Sequence, residues 1–200
     1  LMILFSREVL RRQPGAKIIV EVKCSELLYQ DVLRHGGEPL WSPTGHSRIK
    51  ALMWNEGALL AGELSGHIVF RDEYFGFDDA CYAAARLLRI LSHTQEPLSR
   101  LLADLPPVYA TPEVRPQCSD HQKFAIVEEA VRRFKRSERD LTLDGIRFYL
   151  HDGWGLIRAS NTQPALIVRA EAFSPEGRER IKEAISSFLA QYPEVEKPKW

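Results

Sequence analysis

The sequence predicts an α/β fold: a three-layer α/β sheet domain over residues 1–106, then a small α+β domain over residues 107–200 whose antiparallel sheet is backed by two helices. Three observations predict it. From Lys17 to Ala61, short apolar runs alternate with helical spacing, the β-α-β-α-β order that gives parallel strands and right-handed crossovers. Three prolines, Pro106, Pro107 and Pro112, then fall in one short span and favour an extended connector. Beyond it, strand-like runs cluster between Leu141 and Ala172 with a helical pattern on either side, as in an α+β unit.

The elements follow in order. Leu1 to Gln13 is an amphipathic helix stopped by Pro14-Gly15. It is under way at Leu1 without a cap or initiator Met, so an upstream portion of the polypeptide is expected. Lys17 to Val22 is a β-branched strand, and Ser25 caps a helix to about Arg34, where Gly36-Gly37 ends it. Glu38 to Trp41 is the second strand, Ser42 to His46 a loop, and Ser47 the cap of a helix to about Asn55. Ala58 to Ala61 and Ile68 to Phe70 are two further strands. Asp78 and Asp79 then occupy the first turn of a helix to about Leu91, with Leu87, Leu88 and Leu91 on its inner stripe.

In the second domain, Ser119 and Gln122 have capping-box spacing and open a helix from Asp120 to about Arg136. Two strands are expected near Leu141 to Leu150, turning at Asp144-Gly145. Trp154 to Ala159 and Ala165 to Ala172 are the longer strands. Ser174 caps the last helix, with Pro175 at its first position and Ile181, Ala184, Ile185, Phe188 and Leu189 on its apolar face.

Composition narrows the function. Lys plus Arg and Asp plus Glu each number 27, so the net charge is zero and the electrostatic footprint of a nucleic-acid binder is missing. No apolar run approaches the roughly 20 residues that span a bilayer, and no small-residue cleavage site follows Leu1 to Phe5. Cys24, Cys81 and Cys118 are odd in number and form no CxxC, which excludes a disulfide framework and fits a reducing, cytoplasmic setting. Neither nucleic acid nor membrane is an expected partner.

Two stretches concentrate chemistry. In Gly62-Glu63-Leu64-Ser65-Gly66-His67 the polar residues alternate, so an extended backbone would put Glu63, Ser65 and His67 on one face, a surface suited to sugar hydroxyls. An ordinary polar turn is the other reading. Lys23, His46 and Glu63 each follow one of three successive strands, and the carboxyl edge of a parallel sheet is where open α/β sheets bind ligands. Arg158-Ala159-Ser160-Asn161-Thr162 gathers a guanidinium, hydroxyls, a carboxamide and turn N–H groups, the donors that cradle a phosphate without a metal. GxGxxG, Walker, HExxH and GxSxG motifs are all absent.

Together with Pro43-Thr44-Gly45-His46-Ser47 and Tyr74-Phe75-Gly76-Phe77-Asp78-Asp79, these two stretches resemble the α-D-phosphohexomutase superfamily, the bacterial phosphomannomutase/phosphoglucomutase group above all. The resemblance implies the third and fourth of that family's four domains. It implies that Glu63 and Ser65 bind sugar O3 and O4, with Lys23 and His46 completing the wall. His67 would assist nearer the phosphoryl-transfer centre, and Arg158, Ser160, Asn161 and Thr162 would grip the phosphate that is not transferred. The reaction so implied moves a phosphoryl group between hexose O1 and O6 through a phosphoserine and a hexose 1,6-bisphosphate, with Mg²⁺ as cofactor. The family's serine and Asp-rich metal loops lie upstream of the matching region. This chain is therefore expected to bind a phosphosugar yet be inert without the missing N-terminal domains. Ser160-Asn161-Thr162-Gln163 differs from the Ser-Gly-Thr-Glu typical of phosphoglucosamine mutases, which favours mannose and glucose phosphates over that branch or over a non-catalytic binding module.

Overall fold

The computed structural model describes residues 1–200, which form two compact units, Leu1–Leu105 and Pro106–Trp200. The first contains α1 (Met2–Arg12), β1 (Lys17–Glu21), α2 (Glu26–Arg34), β2 (Glu38–Ser42), α3 (His46–Glu56), β3 (Leu60–Gly62), β4 (Ile68–Phe70) and α4 (Ala80–Ser92). Its sheet runs β2-β1-β3-β4, with β1 parallel to both neighbours and β4 antiparallel to β3. Pro39 is tolerated because β2 is an edge strand.

Layering follows from side-chain alternation along β1. Ile18 and Val20 join Leu60, Ile68 and Phe70 on one face, covered by α1, α2 and α4 through Phe5, Val9, Leu28, Val32 and Ala83. Ile19 joins Ala61 and Val69 on the other, covered by Ile49 and Met53 of α3. Burying each of the Val, Ile, Leu, Phe and Met side chains among these contributes about 1.5–3 kcal/mol. The approach of α1 to β3 is close enough that a Cβ on Gly62 would overlap Met2 Sδ.

Four local expectations fail in this unit. The expected cap Ser47 lies inside α3, which starts one residue earlier at His46 behind Gly45. The expected strand at Ala58 begins at Leu60. Asp78 stands outside α4, and Asp79 is the cap, accepting from the Tyr82 N–H at 2.9 Å. Leu88 is exposed, and Arg86 takes the inner stripe in its place. The Arg86 guanidinium lies 4.3 Å from the Phe70 ring centroid and donates to Asp72 at 2.7 Å and to Glu8, so a buried cation is matched by two carboxylates.

The second unit contains β5 (Tyr109–Ala110), α5 (Asp120–Phe134), β6 (Ile146–Leu150), β7 (Gly153–Ala159), β8 (Leu166–Ala172) and α6 (Pro175–Leu189). Its sheet is antiparallel in the order β5-β8-β7-β6. One face carries Ile146, Phe148, Ile157, Ala159, Leu166, Val168 and Ala170, packed against Ile126, Val127 and Ala130 of α5 and Ile181, Ile185 and Phe188 of α6. Ser174 caps α6 as expected, accepting from the Gly177 N–H at 3.0 Å.

Here too the sequence misleads locally. Part of the expected connector is β5, paired with Glu171 and Ala172 of β8. Ser119 makes no side-chain bond to the helix backbone, and its hydroxyl donates instead to the Gln122 side chain at 2.8 Å. Leu141 forms only an isolated bridge to Arg147, so the hairpin is β6–β7, turning through His151 in a left-handed conformation.

Because Ile19 is the β1 contribution to the α3 layer, Ile19→Ala should lower the first unit's unfolding free energy by about 2–5 kcal/mol. Urea denaturation reads this, and a loss below about 1 kcal/mol would show that α3 is not held by that layer.

Candidate functional site

Parallel pairing aligns Glu21 with Ser42 and Val20 with Gly62, which sets the carboxyl ends of β1, β2 and β3 along one edge. The centre of that edge is Glu21, which the sequence reading missed. Its carboxylate is fully buried. It accepts from the Thr44 hydroxyl after β2 and, at 3.4 Å, from the Leu64 N–H after β3, and lies 3.9 Å from Lys23 Nζ. Burial raises the Glu21 pKa, against the lowering effects of Lys23, Thr44 and Leu64. The signal was present as an acidic residue ending the apolar run Ile18-Ile19-Val20.

The loop between β3 and β4 is a tight turn, which corrects the extended reading. The Glu63 N–H donates to His67 O at 2.9 Å and the Gly66 N–H to Glu63 O at 3.1 Å, with Gly66 at φ 95°. The turn, rather than strand alternation, brings the polar groups together. The Ser65 hydroxyl donates to Glu63 Oε2 at 3.2 Å, whereas Glu63 Oε1 is buried with no partner. His46 is the exposed first residue of α3, at a helix N-terminus and not in a loop as expected, and its ring centroid lies 6.1 Å from that of His67. Lys23 is 5% exposed. His67 Nδ1 lies 2.5 Å from Asp78 Oδ2. Asp78 is a second residue missed, because its place before a helix suggested a dipole partner.

In the second unit, Arg158 near the end of β7 is 2% exposed. Its Nε donates to Asp144 Oδ2 at 2.8 Å, and its Nη2 is buried without a partner. The following loop is closed by Ser160 N–H donating to Ala165 O at 2.9 Å. The Ser160 Oγ accepts from the N–H groups of Thr162 at 3.4 Å and Gln163 at 3.1 Å, so its own proton remains to be donated. Asn161 and Thr162 are exposed at the tip. Lys123, a third residue missed, reaches from α5 to donate to Ser160 O at 2.8 Å and Gln163 O at 3.1 Å. It sits in a helical pattern that reads as ordinary surface, although it is 5% exposed.

No group of three or more His, Cys, Asp or Glu side chains is placed to hold a metal ion. The chemistry present is a hydroxyl-accepting acidic turn in one unit and a cationic, N–H-rich turn in the other.

Both units match known proteins. Residues 1–109 match the profile described as phosphoglucomutase/phosphomannomutase, alpha/beta/alpha domain III, and residues 113–187 match that of the C-terminal domain. A phosphomannomutase/phosphoglucomutase of Pseudomonas putida is 44% identical over 200 residues, covering 99% of this chain and 43% of the relative. That of Pseudomonas aeruginosa is 46% identical over 183 residues, covering 91% and 40%. A crystal structure of a phosphoglucomutase/phosphomannomutase family protein from Burkholderia thailandensis superimposes with a TM-score of 0.86 at 41% identity, covering 98% of this chain and 42% of that one. The chain thus spans under half the length of these relatives. Both of its units, across nearly all of their residues, place the chain in the phosphoglucomutase/phosphomannomutase family.

Proposed function

We propose that this chain supplies the sugar-reading and phosphate-gripping parts of a phosphomannomutase/phosphoglucomutase that interconverts hexose 1-phosphate and hexose 6-phosphate. The observation that carries this reading is a pair of buried polar atoms without partners, Glu63 Oε1 in the loop after β3 and Arg158 Nη2 near the end of β7. An unpaired buried polar group costs about 1–3 kcal/mol, which a sugar hydroxyl relieves at Glu63 and a phosphate oxygen relieves at Arg158.

The roles follow from the donors and acceptors. Glu63 accepts from vicinal sugar hydroxyls with Ser65 beside it, while Lys23 and His46 add positive or hydrogen-bonding groups to the wall. His67 serves the end of the ligand where phosphoryl transfer occurs. Arg158, Ser160, Asn161 and Thr162 hold the other phosphate. Each bond to a charged group contributes about 1.5–3 kcal/mol, so three or four support micromolar binding after association entropy. A grip that reads only a phosphate serves the ligand in either orientation, which a 1,6-bisphosphate intermediate requires. In such transfers positioning and electrostatics supply most of the acceleration.

Mannose and glucose phosphates are the substrates we favour, on the names of the Pseudomonas relatives and the Asn161-Thr162-Gln163 loop. Those names favour neither a phosphoglucosamine mutase nor a non-catalytic module. The residues here do not fit a Mg²⁺ site, and we assign the metal and the phosphoserine to other domains of the same polypeptide. No helix is long and apolar enough to cross a membrane, and a cytoplasmic location belongs to the same reading.

In a mutase polypeptide carrying all its domains, Glu63→Gln should lower kcat/KM for glucose 1-phosphate about tenfold with the fold intact. Arg158→Ala should act chiefly on KM, raising it about tenfold, since it loosens a phosphate held in ground and transition states alike. Wild-type kinetics in both variants would refute the site. Removing the Lys123 ammonium should free the loop it ties: Lys123→Met should speed hydrogen exchange at the Thr162 and Gln163 amides about tenfold without affecting β8. Unchanged exchange would mean the loop holds its shape unaided.

A further inference from the structure

We propose that Asp78 is a positioning residue that fixes the tautomer and aim of His67. Asp78 lies in the segment between β4 and α4, where an antiparallel bridge to Val69 and a bond from Gly76 N–H to Phe70 O at 2.9 Å pin the backbone against β4. Its neighbour Asp79 is already engaged, accepting from the Tyr82 N–H at 2.9 Å and the Tyr74 hydroxyl at 2.7 Å. Asp78 alone therefore turns to the hairpin, and its Oδ2 meets His67 Nδ1 at 2.5 Å.

A carboxylate only accepts, so the hydrogen of this bond sits on Nδ1. In the neutral ring Nε2 is then the acceptor, and the side chain is 49% exposed, open to a ligand. An Nε2 lone pair accepts from a sugar hydroxyl, and if the ring takes up a proton, the same atom donates to a phosphoryl oxygen with the Asp78 charge balancing the imidazolium. What Nε2 meets rests on the phosphosugar reading, whereas the tautomer does not.

Long-range ¹H–¹⁵N NMR of the full 200-residue chain reads the tautomer directly. Wild type should show His67 protonated on Nδ1. Asp78→Asn and Asp78→Ala should both shift it toward the Nε2–H form that an exposed imidazole prefers, and an unchanged tautomer in both overturns the assignment. A cycle with glucose 1-phosphate as probe gives the second readout. Asp78→Ala should weaken binding about threefold to tenfold beside His67 and have no further effect in a His67→Ala background. Equal losses in the two backgrounds would show that Asp78 acts without His67 and overturn the proposal. Should wild type fail to bind glucose 1-phosphate, the phosphosugar reading fails and the tautomer comparison alone decides the Asp78 assignment.

Discussion

The edge of the first unit is held by one buried carboxylate. Glu21 ends the central parallel strand, and its two oxygens accept from groups after both neighbouring strands, the Thr44 hydroxyl on one side and the Leu64 N–H on the other. Lys23, two residues on, supplies the nearest positive charge at 3.9 Å. A hydrophobic residue there would pack without the desolvation cost of a buried acid. It would also leave Thr44 and Leu64 without a common acceptor, and with them the orientation of the loop that carries Glu63 and Ser65. Burial raises the Glu21 pKa, the direction in which a desolvated carboxylate resists ionisation.

The two units solve the same problem by different means. In the first, topology does the gathering, because parallel strands end on one edge and short loops follow each end. In the second, antiparallel strands offer no such edge, and the polar groups gather at the end of β7 and in the loop that follows it. Ser160 folds that loop onto its own hydroxyl, while Lys123 ties its two limbs from below. In both cases the supporting bonds are made and one buried polar atom is left without a partner. These atoms are Glu63 Oε1 and Arg158 Nη2.

Most of the fold was legible in the sequence because its elements are set by local signals. The β-branched run at Ile18-Ile19-Val20, the caps Ser25 and Ser174, and the apolar face of the last helix are each read from a few neighbouring residues. The order of those elements then implied parallel strands and an antiparallel second sheet. The residues proposed for the site stood out as motifs for the same reason. What failed was long-range. Alternation of Glu63, Ser65 and His67 satisfies a strand as well as a turn, and Gly66 at positive φ decided between them. Asp78 reads as a helix-dipole residue until a hairpin places His67 beside it. Lys123 reads as a surface cation and Leu88 as an inner-stripe residue, whereas Lys123 and Arg86 are the buried ones, each matched by a partner distant in sequence.

The role of Glu21 is tested most directly by the pH dependence of stability in wild type and Glu21→Gln, followed by urea unfolding. Because the native pKa lies above the ordinary 4.5, the folded state holds this proton more tightly than the unfolded chain does. The associated stability is complete below 4.5 and is lost as the pH rises through the native pKa. Wild type should therefore lose stability relative to Glu21→Gln across that window and run parallel to it on either side. Curves that stay parallel throughout would contradict the account, because they would mean that ionising Glu21 costs the folded state no more than it costs the unfolded chain.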